Sequence, residues 1–120
     1  MHLLVVAHGS RQAAANLEIR DLVKQMQLMT NRFSVIECAF LEIAEPSIEQ
    51  GLQQLIARGA LEIIVMPYFL SAGRHVTIDI PEQVQSMRDA NPHVDIRIAD
   101  YLGAAENIRQ VLIDQACLAI

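Results

Sequence analysis

Short continuous apolar runs alternate along the chain with longer stretches in which apolar residues recur at helical spacing. Residues 3–7 are all apolar, which is typical of a strand covered on both faces. Between residues 13 and 29, apolar side chains recur every three to four positions, which predicts a helix with one buried face. The chain therefore opens with a strand followed by a helix.

The same alternation continues through the rest of the chain. It predicts three more strands, at residues 33–40, 61–66 and 94–99. It also predicts three more helices: one from near Pro46 to Gly59, one from near Pro81 after a loop at residues 67–76, and one over about residues 105–118. Residues 1–120 thus read as four strand–helix units in one domain.

Four such units predict an α/β, flavodoxin-like domain: a four-stranded parallel sheet with helices on both faces. The polar residues indicate the strand order. Strand two carries Ser34 and Glu37, and strand four alternates Asp95 and Arg97 with apolar residues, so both belong at edges. The favoured order is 2-1-3-4. It makes strands one and three neighbours whose helices go to opposite faces, and a crevice opens there at the carboxyl ends of the strands.

Composition excludes several classes of function. The formal net charge is −5 and the basic residues are scattered, so nucleic acid is not an expected partner. No apolar run approaches the ~20 residues of a membrane span, and no secretion signal opens the chain, so we predict a cytoplasmic protein without a membrane partner. Cys38 and Cys117 form no CxxC motif and are interpreted as reduced thiols.

Three polar residues follow the strands that border the predicted crevice. His8 ends strand one, His75 closes the loop after strand three, and Glu42 follows strand two. Two imidazoles and a carboxylate suit a borderline divalent metal, and they can also accept protons near neutral pH. Glu45 competes with Glu42 as the acidic partner, unless it caps the helix that begins near Pro46.

Glycines and arginines flank both histidines. Gly9 and Gly73 would let a ligand approach the backbone closely, although either could be an ordinary loop glycine. Arg11 and Arg74 suit the binding of carboxylates, although such arginines are often plain surface charge.

Other histidine and serine motifs do not fit the sequence. His8-Gly9 is part of the Arg-His-Gly pattern of histidine phosphatases, but Ala7 stands where the arginine should be. Ser10 is not in a G-x-S-x-G elbow, and no P-loop is present. His2 and His93 lie at the amino ends of their strands, away from the predicted crevice.

Three segments together resemble a known family. Residues 6–11 (VAHGSR), 39–48 (AFLEIAEPSI) and 65–76 (VMPYFLSAGRHV), the last followed by Asp79-Ile80-Pro81, are similar to the signature segments of the class II tetrapyrrole chelatases. The three segments fall in register on the three loops after strands one to three. The resemblance covers essentially the whole chain, and a single domain of this size is similar to the small-form sirohydrochlorin cobaltochelatases and ferrochelatases.

The resemblance implies a lyase that inserts Co²⁺, Fe²⁺ or Ni²⁺ into sirohydrochlorin, for cobalamin or siroheme biosynthesis. The metal is then a substrate, and no tightly bound cofactor is expected. His8 and His75 match the metal-binding histidines, and Glu42 matches the acidic partner, so these three are the predicted catalytic residues. The physiological metal and the pathway stay open.

The resemblance also implies a homodimer, because longer members carry two such domains in one chain. Whether the dimer has one shared or two separate sites stays open. The residues predicted to bind the eight carboxylates and the apolar faces of the tetrapyrrole are Gly9, Ser10, Arg11, Tyr68, Gly73 and Arg74. A carrier that binds a metal or a tetrapyrrole without turnover would use the same residues and is the alternative function.

Overall fold

A computed structural model describes residues 1–120 and shows a four-stranded, all-parallel sheet. Its strands are β1 (His2–Ala7), β2 (Val35–Phe40), β3 (Glu62–Pro67) and β4 (Asp95–Ile98). Their order is β2-β1-β3-β4, which confirms the order 2-1-3-4. In the register, Ala7 of β1 lies beside Phe40 of β2, and Val6 lies beside Pro67 of β3. The three loops that follow these strands therefore leave the sheet side by side.

Four α-helices connect or follow the strands. They are α1 (Ala13–Met29), α2 (Ile48–Ala57), α3 (Ile80–Ala90) and α4 (Ile108–Cys117). Helix α2 begins just after Pro46 because Ser47 caps it: the Ser47 hydroxyl accepts from the Gln50 backbone N–H, and the Gln50 side chain accepts from the Ser47 backbone N–H. No helix in the structure combines the length and the apolar character that crossing a bilayer requires.

The core lies on the two faces of the sheet. On one face, Leu3 and Val5 of β1 pack against α1 through Val23. On the other face, Leu4 and Val6 pack against the buried side chains of α2 and α3. Successive residues of β1 are thus buried on opposite sides, which confirms that the apolar run at residues 3–7 is covered on both faces. Since α1 and α3 lie on opposite faces, the switch point falls between β1 and β3, as predicted.

The segment before α3 differs from the prediction of a loop through residue 76. The chain turns helical at His75, in a five-residue π-helical turn, His75–Asp79, that continues directly into α3. The Gly73 carbonyl accepts from the N–H groups of Val76 and Thr77, and the Ile80 N–H donates to the His75 carbonyl five residues earlier. Helix α3 itself begins at Ile80, as the prediction of a start near Pro81 has it, and Pro81, which lacks an N–H, lies in its first turn.

Helix α4 differs from the other three helices. It begins at Ile108 and not near residue 105, because a 3₁₀ turn, Leu102–Ala104, precedes it. None of its residues is buried, and its main contact within the chain is that 3₁₀ turn. The fourth helix consequently does not cover the sheet, and Asp95 and Arg97 of β4 pair with each other on an uncovered face.

Candidate functional site

A tight turn after β1 holds His8 at the carboxyl end of the sheet. Gly9 adopts a positive φ of 97°, which side chains other than glycine disfavour. Asn16, the buried polar residue of α1, holds the turn through two hydrogen bonds to the backbone of Ser10. Its Oδ1 accepts from Ser10 N at 2.9 Å, and its Nδ2 donates to Ser10 O at 2.7 Å. The first turn of α1 therefore fixes the path of the chain next to His8.

The turn after β1 also touches the loop after β2. A Cβ atom at Gly9 would lie 1.9 Å from the carbonyl oxygen of Glu42, and the Glu42 N–H donates to the His8 carbonyl at 3.1 Å. This close approach sets Glu42 Oε1 3.0 Å from His8 Nε2. Glycine at position 9 is thus required for the contact between the predicted histidine and its predicted acidic partner.

His75 reaches the same place from β3. Its ring lies 4.9 Å from that of His8, centroid to centroid, at an interplanar angle of 62°. Phe69 lies on its other side, with ring centroids 6.2 Å apart. The structure thus brings His8, His75 and Glu42 together, as the sequence predicts. Glu45 takes no part in this cluster; its backbone carbonyl accepts from Arg20.

The hydrogen bonds of the two rings assign their hydrogens. His8 Nδ1 lies 3.0 Å from the carbonyl oxygen of Gly9, which can only accept, so Nδ1 carries a hydrogen. His75 Nδ1 lies 2.8 Å from Asp79 Oδ2 and donates to that carboxylate. His75 therefore presents Nε2 as the nitrogen available to a ligand, whereas the hydrogen between His8 Nε2 and Glu42 Oε1, which lie 3.0 Å apart, must leave before His8 binds a metal there. A metal-binding histidine has this arrangement, with its second nitrogen bonded to a carboxylate or a carbonyl.

The geometry fits a loosely held metal more closely than a closed metal site. No group of three or more His, Cys, Asp or Glu side chains is arranged as a metal cage. Two imidazoles on one tetrahedral metal, with bonds of ~2.0–2.1 Å, have ring centres about 5 Å apart. The measured 4.9 Å between His8 and His75 agrees with that separation. The spacing of the two rings therefore suits two ligands on one metal, a number that leaves other coordination positions open.

A cleft of about 690 Å³ opens beside His8, between the turn after β1 and helix α1. Tyr68 and Ser10 line it, together with apolar residues of α1 such as Ile19 and Leu22. His75 and Glu42 lie outside its lining, so the cleft adjoins the histidine pair without enclosing it. Its walls include Glu18 and Asp21, which would repel an anionic group.

The other predicted substrate-binding residues have looser positions. Arg11 is exposed in the bend before α1, and Arg74 is 78% exposed at its side chain, 3.9 Å from Asp79 Oδ1. Gly73 has open space around it and no positive φ. The Ser10 hydroxyl accepts from the Gln12 N–H. The structure places all of them on the loops of the site, and none of these contacts assigns them a ligand.

Sequence reasoning gave no role to two residues that hold the site, Asp79 and Asn16. In the sequence, Asp79 was recognised only as part of a signature segment. A spacing of four residues indicates contact between His75 and Asp79 only when both residues lie in one helix. The predicted loop through residue 76 hid that relation. Asn16 had a signal that could have been used: a polar residue on the buried side of an otherwise apolar helix face.

Two titratable groups away from the site are perturbed by burial. Desolvation, with the nearby amino terminus and Arg58, lowers the pKa of His2. Burial raises the pKa of the Cys38 thiol above its ordinary value, so that this cysteine resists ionisation. Both cysteines are free, and Cys117 is exposed. His93 is exposed, as expected for the amino end of β4.

Fold and site define an α/β protein in which the two central parallel strands each deliver a histidine to one crevice. The CbiX family model matches residues 2–118. The chain belongs to the CbiX family.

Curated relatives agree with this assignment. The chain is 33% identical over 118 residues to the sirohydrochlorin cobaltochelatase of Saccharolobus solfataricus, with 92% of this chain and 89% of the relative covered. It is 32% identical over 119 residues to the chloroplastic sirohydrochlorin ferrochelatase of Arabidopsis thaliana, with 98% of this chain and 52% of the relative covered.

A solved structure has the same fold. The sirohydrochlorin chelatase SirB from Bacillus subtilis subspecies spizizenii, in complex with cobalt, superposes with a TM-score of 0.87 at 28% identity, covering 97% of this chain and 49% of that one. The chain thus spans about half the length of SirB and of the Arabidopsis relative, and most of the length of the archaeal one.

Proposed function

We propose that this protein is a sirohydrochlorin chelatase, a lyase that inserts cobalt or iron into the tetrapyrrole with residues 1–120 acting as one catalytic domain. The observation that carries the proposal is the pairing of His8 and His75, 4.9 Å apart, with Glu42 3.0 Å from His8. Relatives named for cobalt and for iron insertion support both metals as substrates. The metal-bound SirB structure supports a site that takes the metal directly.

His8 and His75 hold the incoming metal through their Nε2 atoms. Two ligand atoms on one metal with bonds of ~2.0–2.1 Å lie about 3 Å apart when they subtend a right angle. His8 Nε2 and Glu42 Oε1 already have that separation, so a metal can replace the hydrogen between them without moving either residue. A site of two or three such ligands leaves positions free for the pyrrole nitrogens.

Insertion must also dispose of two protons. Each of two pyrrole N–H groups loses its proton, and its nitrogen lone pair then binds the metal as the metal leaves the protein ligands. Glu42 accepts one proton, since its carboxylate lies beside His8 and is half exposed to solvent. An imidazole that the metal has left accepts the other, and both protons pass on to solvent. The reaction is balanced as metal ion plus free-base tetrapyrrole giving metallated tetrapyrrole plus two protons.

Substrate recognition divides between apolar and cationic groups. The macrocycle packs over Tyr68 and the backbone at Gly9 and Ser10, at the His8 edge of the cleft and away from Glu18 and Asp21 of α1. Its carboxylates meet Arg11 and Arg74, which are exposed and lie on the loops after β1 and β3. Because the chain carries a net charge of −5, these local cations supply the attraction. Gly73 leaves room beside His75 for the ring edge.

The test is anaerobic metallation of sirohydrochlorin, followed by its absorbance, with Co²⁺, Fe²⁺ and Ni²⁺. We expect multiple turnovers by the wild-type protein, lost in His8→Ala and in His75→Ala. His93→Ala is the matched control, because His93 is exposed at the opposite end of the sheet. Stoichiometric binding without release of metallated product would establish a carrier instead. Equal rates in all four proteins would place the site elsewhere.

The protein acts in the cytoplasm as a homodimer, and α4 supports the second part of this proposal. Val111, Leu112 and Ile113 are each more than half exposed in the single chain. Such an apolar helix is stabilised when a second copy covers it. The sheet face near β4, which α4 leaves open, offers an adjacent surface for the same contact.

Analytical ultracentrifugation of the wild-type protein and of Leu112→Glu tests the dimer. We expect the mass of two chains for the wild type and of one chain for the variant, because a buried carboxylate in an apolar contact is strongly disfavoured. Gln115→Glu adds the same charge to the same helix at a polar position and is the control. A wild-type protein that sediments as one chain would contradict the dimer but would leave the proposed reaction unaffected.

A further inference from the structure

We propose that Asp79 is a positioning residue that fixes the hydrogen of His75 on Nδ1 and so keeps Nε2 ready for the metal. The role in metal binding rests on the proposed function, but the contact between Asp79 and His75 does not depend on it. Asp79 touches neither the metal position nor the tetrapyrrole cleft, and it acts through His75 alone.

The contact is short and structurally defined. Asp79 Oδ2 lies 2.8 Å from His75 Nδ1, four residues away on the same helical turn. The side chain of Asp79 is only 28% exposed, less than that of His75. The π-helical turn His75–Asp79 sets the two side chains on one face, because residues four apart in a helix are neighbours.

The consequence for His75 follows from the chemistry of imidazole. A neutral ring carries one hydrogen, which can sit on either nitrogen, and only the bare nitrogen can bind a metal. An ionised carboxylate can accept a hydrogen bond but cannot donate one, so the ring nitrogen beside Asp79 must carry the hydrogen. Asp79 therefore holds the hydrogen on Nδ1 and leaves the lone pair on Nε2. It also fixes the rotation of the ring, which faces His8 at 4.9 Å.

Arg74 does not compete for this role of Asp79. Its Nε lies 3.9 Å from Oδ1, the other carboxylate oxygen, and its side chain is 78% exposed. Exposed ion pairs of this kind are weak. Arg74 therefore remains free to meet substrate carboxylates while Asp79 Oδ2 stays with His75.

The first test needs no metal and no tetrapyrrole. Nitrogen-15 NMR of the imidazoles, at a pH where the rings are neutral, reports which nitrogen of His75 carries the hydrogen. We expect the Nδ1–H form in the wild type and a shift toward Nε2–H in Asp79→Ala. Asp89→Ala, an exposed aspartate of α3, should leave the His75 signals unchanged. A wild-type ring in the Nε2–H form would overturn the proposal.

The second test measures Co²⁺ affinity by calorimetry, without turnover. Loss of such a carboxylate partner typically weakens metal binding about 10–100-fold. We expect that loss in Asp79→Ala and in Asp79→Asn, partial recovery in Asp79→Glu, and wild-type affinity in Asp89→Ala. Thermal unfolding of each variant separates loss of affinity from loss of fold. Unchanged affinity in both Asp79→Ala and Asp79→Asn would overturn the proposal.

The two tests also separate this proposal from the proposed function. If sirohydrochlorin is not metallated but Asp79 still sets the hydrogen of His75 and the affinity for Co²⁺, the positioning role stands and the chelatase is wrong. If the wild type metallates sirohydrochlorin but Asp79→Ala keeps the wild-type hydrogen position on His75 and the wild-type Co²⁺ affinity, the positioning role is wrong and the chelatase stands.

Discussion

The loops after β1 and β3 each present one histidine, and they hold it by different means. The side chains of His8 and His75 are equally exposed, at 43% each. His8 is held mainly by the backbone: the Gly9 carbonyl accepts from its ring, and the turn itself is clamped by Asn16 and packed against Glu42. His75 is held by one side chain, Asp79, on a helical turn with open space around Gly73. The two histidine side chains are thus equally exposed to solvent, although His8 is restrained by more contacts than His75.

The difference has a physical origin in the sheet. The turn after β1 lies between two neighbouring loops, so that a displacement of His8 must also displace Glu42 or the start of α1. The loop after β3 packs against the turn at Gly103 through Phe69 and Leu70, but Gly73, next to Arg74 and His75, has open space around it. We therefore expect changes near His8 to affect both stability and chemistry, and changes near His75 to affect chemistry while the fold survives.

The largest effect should come from Glu42, the carboxylate beside His8 Nε2. Glu42→Gln keeps the size of the side chain but removes the carboxylate, and a general base typically contributes about 10²–10⁴-fold to the rate. We expect turnover of sirohydrochlorin to fall by that order, measured from the absorbance of the metallated product. Glu45→Gln should retain full activity, because only the backbone of Glu45 is engaged. Equal losses in both variants would mean that charge near the site matters and that the position of Glu42 does not.

The second-largest effect should be the difference in stability between alanine substitutions at Gly9 and at Gly73. Gly9→Ala places a Cβ atom on the Glu42 carbonyl at a positive φ, so we expect the free energy of unfolding to drop by about 2–4 kcal/mol and activity to disappear. Gly73→Ala meets no atom within 4 Å and needs no unusual φ, so its stability should stay near that of the wild type. Urea denaturation measures both. A Gly9→Ala protein as stable as Gly73→Ala would show that the turn after β1 is not rigid.

The smallest effect should come from removing single side chains that hydrogen-bond the loop after β1 or the loop after β3. Asn16→Ala removes two bonds of a buried amide to Ser10, which should cost about 1–3 kcal/mol. Thr77→Ala removes one exposed bond to the Gly73 carbonyl and should cost less than about 0.5 kcal/mol. Thermal unfolding followed by circular dichroism distinguishes them. The reverse ranking would contradict the contrast between the loops.

The sequence predicted the sheet and the histidine pair because both follow from simple patterns. Polar residues in β2 and β4 indicated edge strands, and the carboxyl ends of β1 and β3 had to meet at the switch point. Glu42 followed in the same way from β2. These predictions depend only on where each residue falls relative to a strand.

The parts that the sequence did not predict depend on contacts between elements. The role of Asp79 required a helix that begins at His75, and Pro81 masked that beginning. The exposure of α4 could not be predicted, because the spacing of its apolar residues predicts a buried face. That spacing does not show whether the same chain or another chain packs against the face. The burial of Asn16 had a local signal, a polar residue on an apolar helix face, but the sequence could not show that its partner is the backbone of Ser10.

The bond from the His8 ring to the Gly9 carbonyl has a consequence for redesign of this metal site. A main-chain acceptor is present whatever residue occupies a position, so substitution of side chains cannot remove the group that orients His8 as long as the turn is kept. Asp79 and Glu42 are side chains and can be exchanged one at a time. An attempt to retune which ion the protein handles should therefore leave the β1 turn as the fixed half of the site and vary these two carboxylates as its adjustable half.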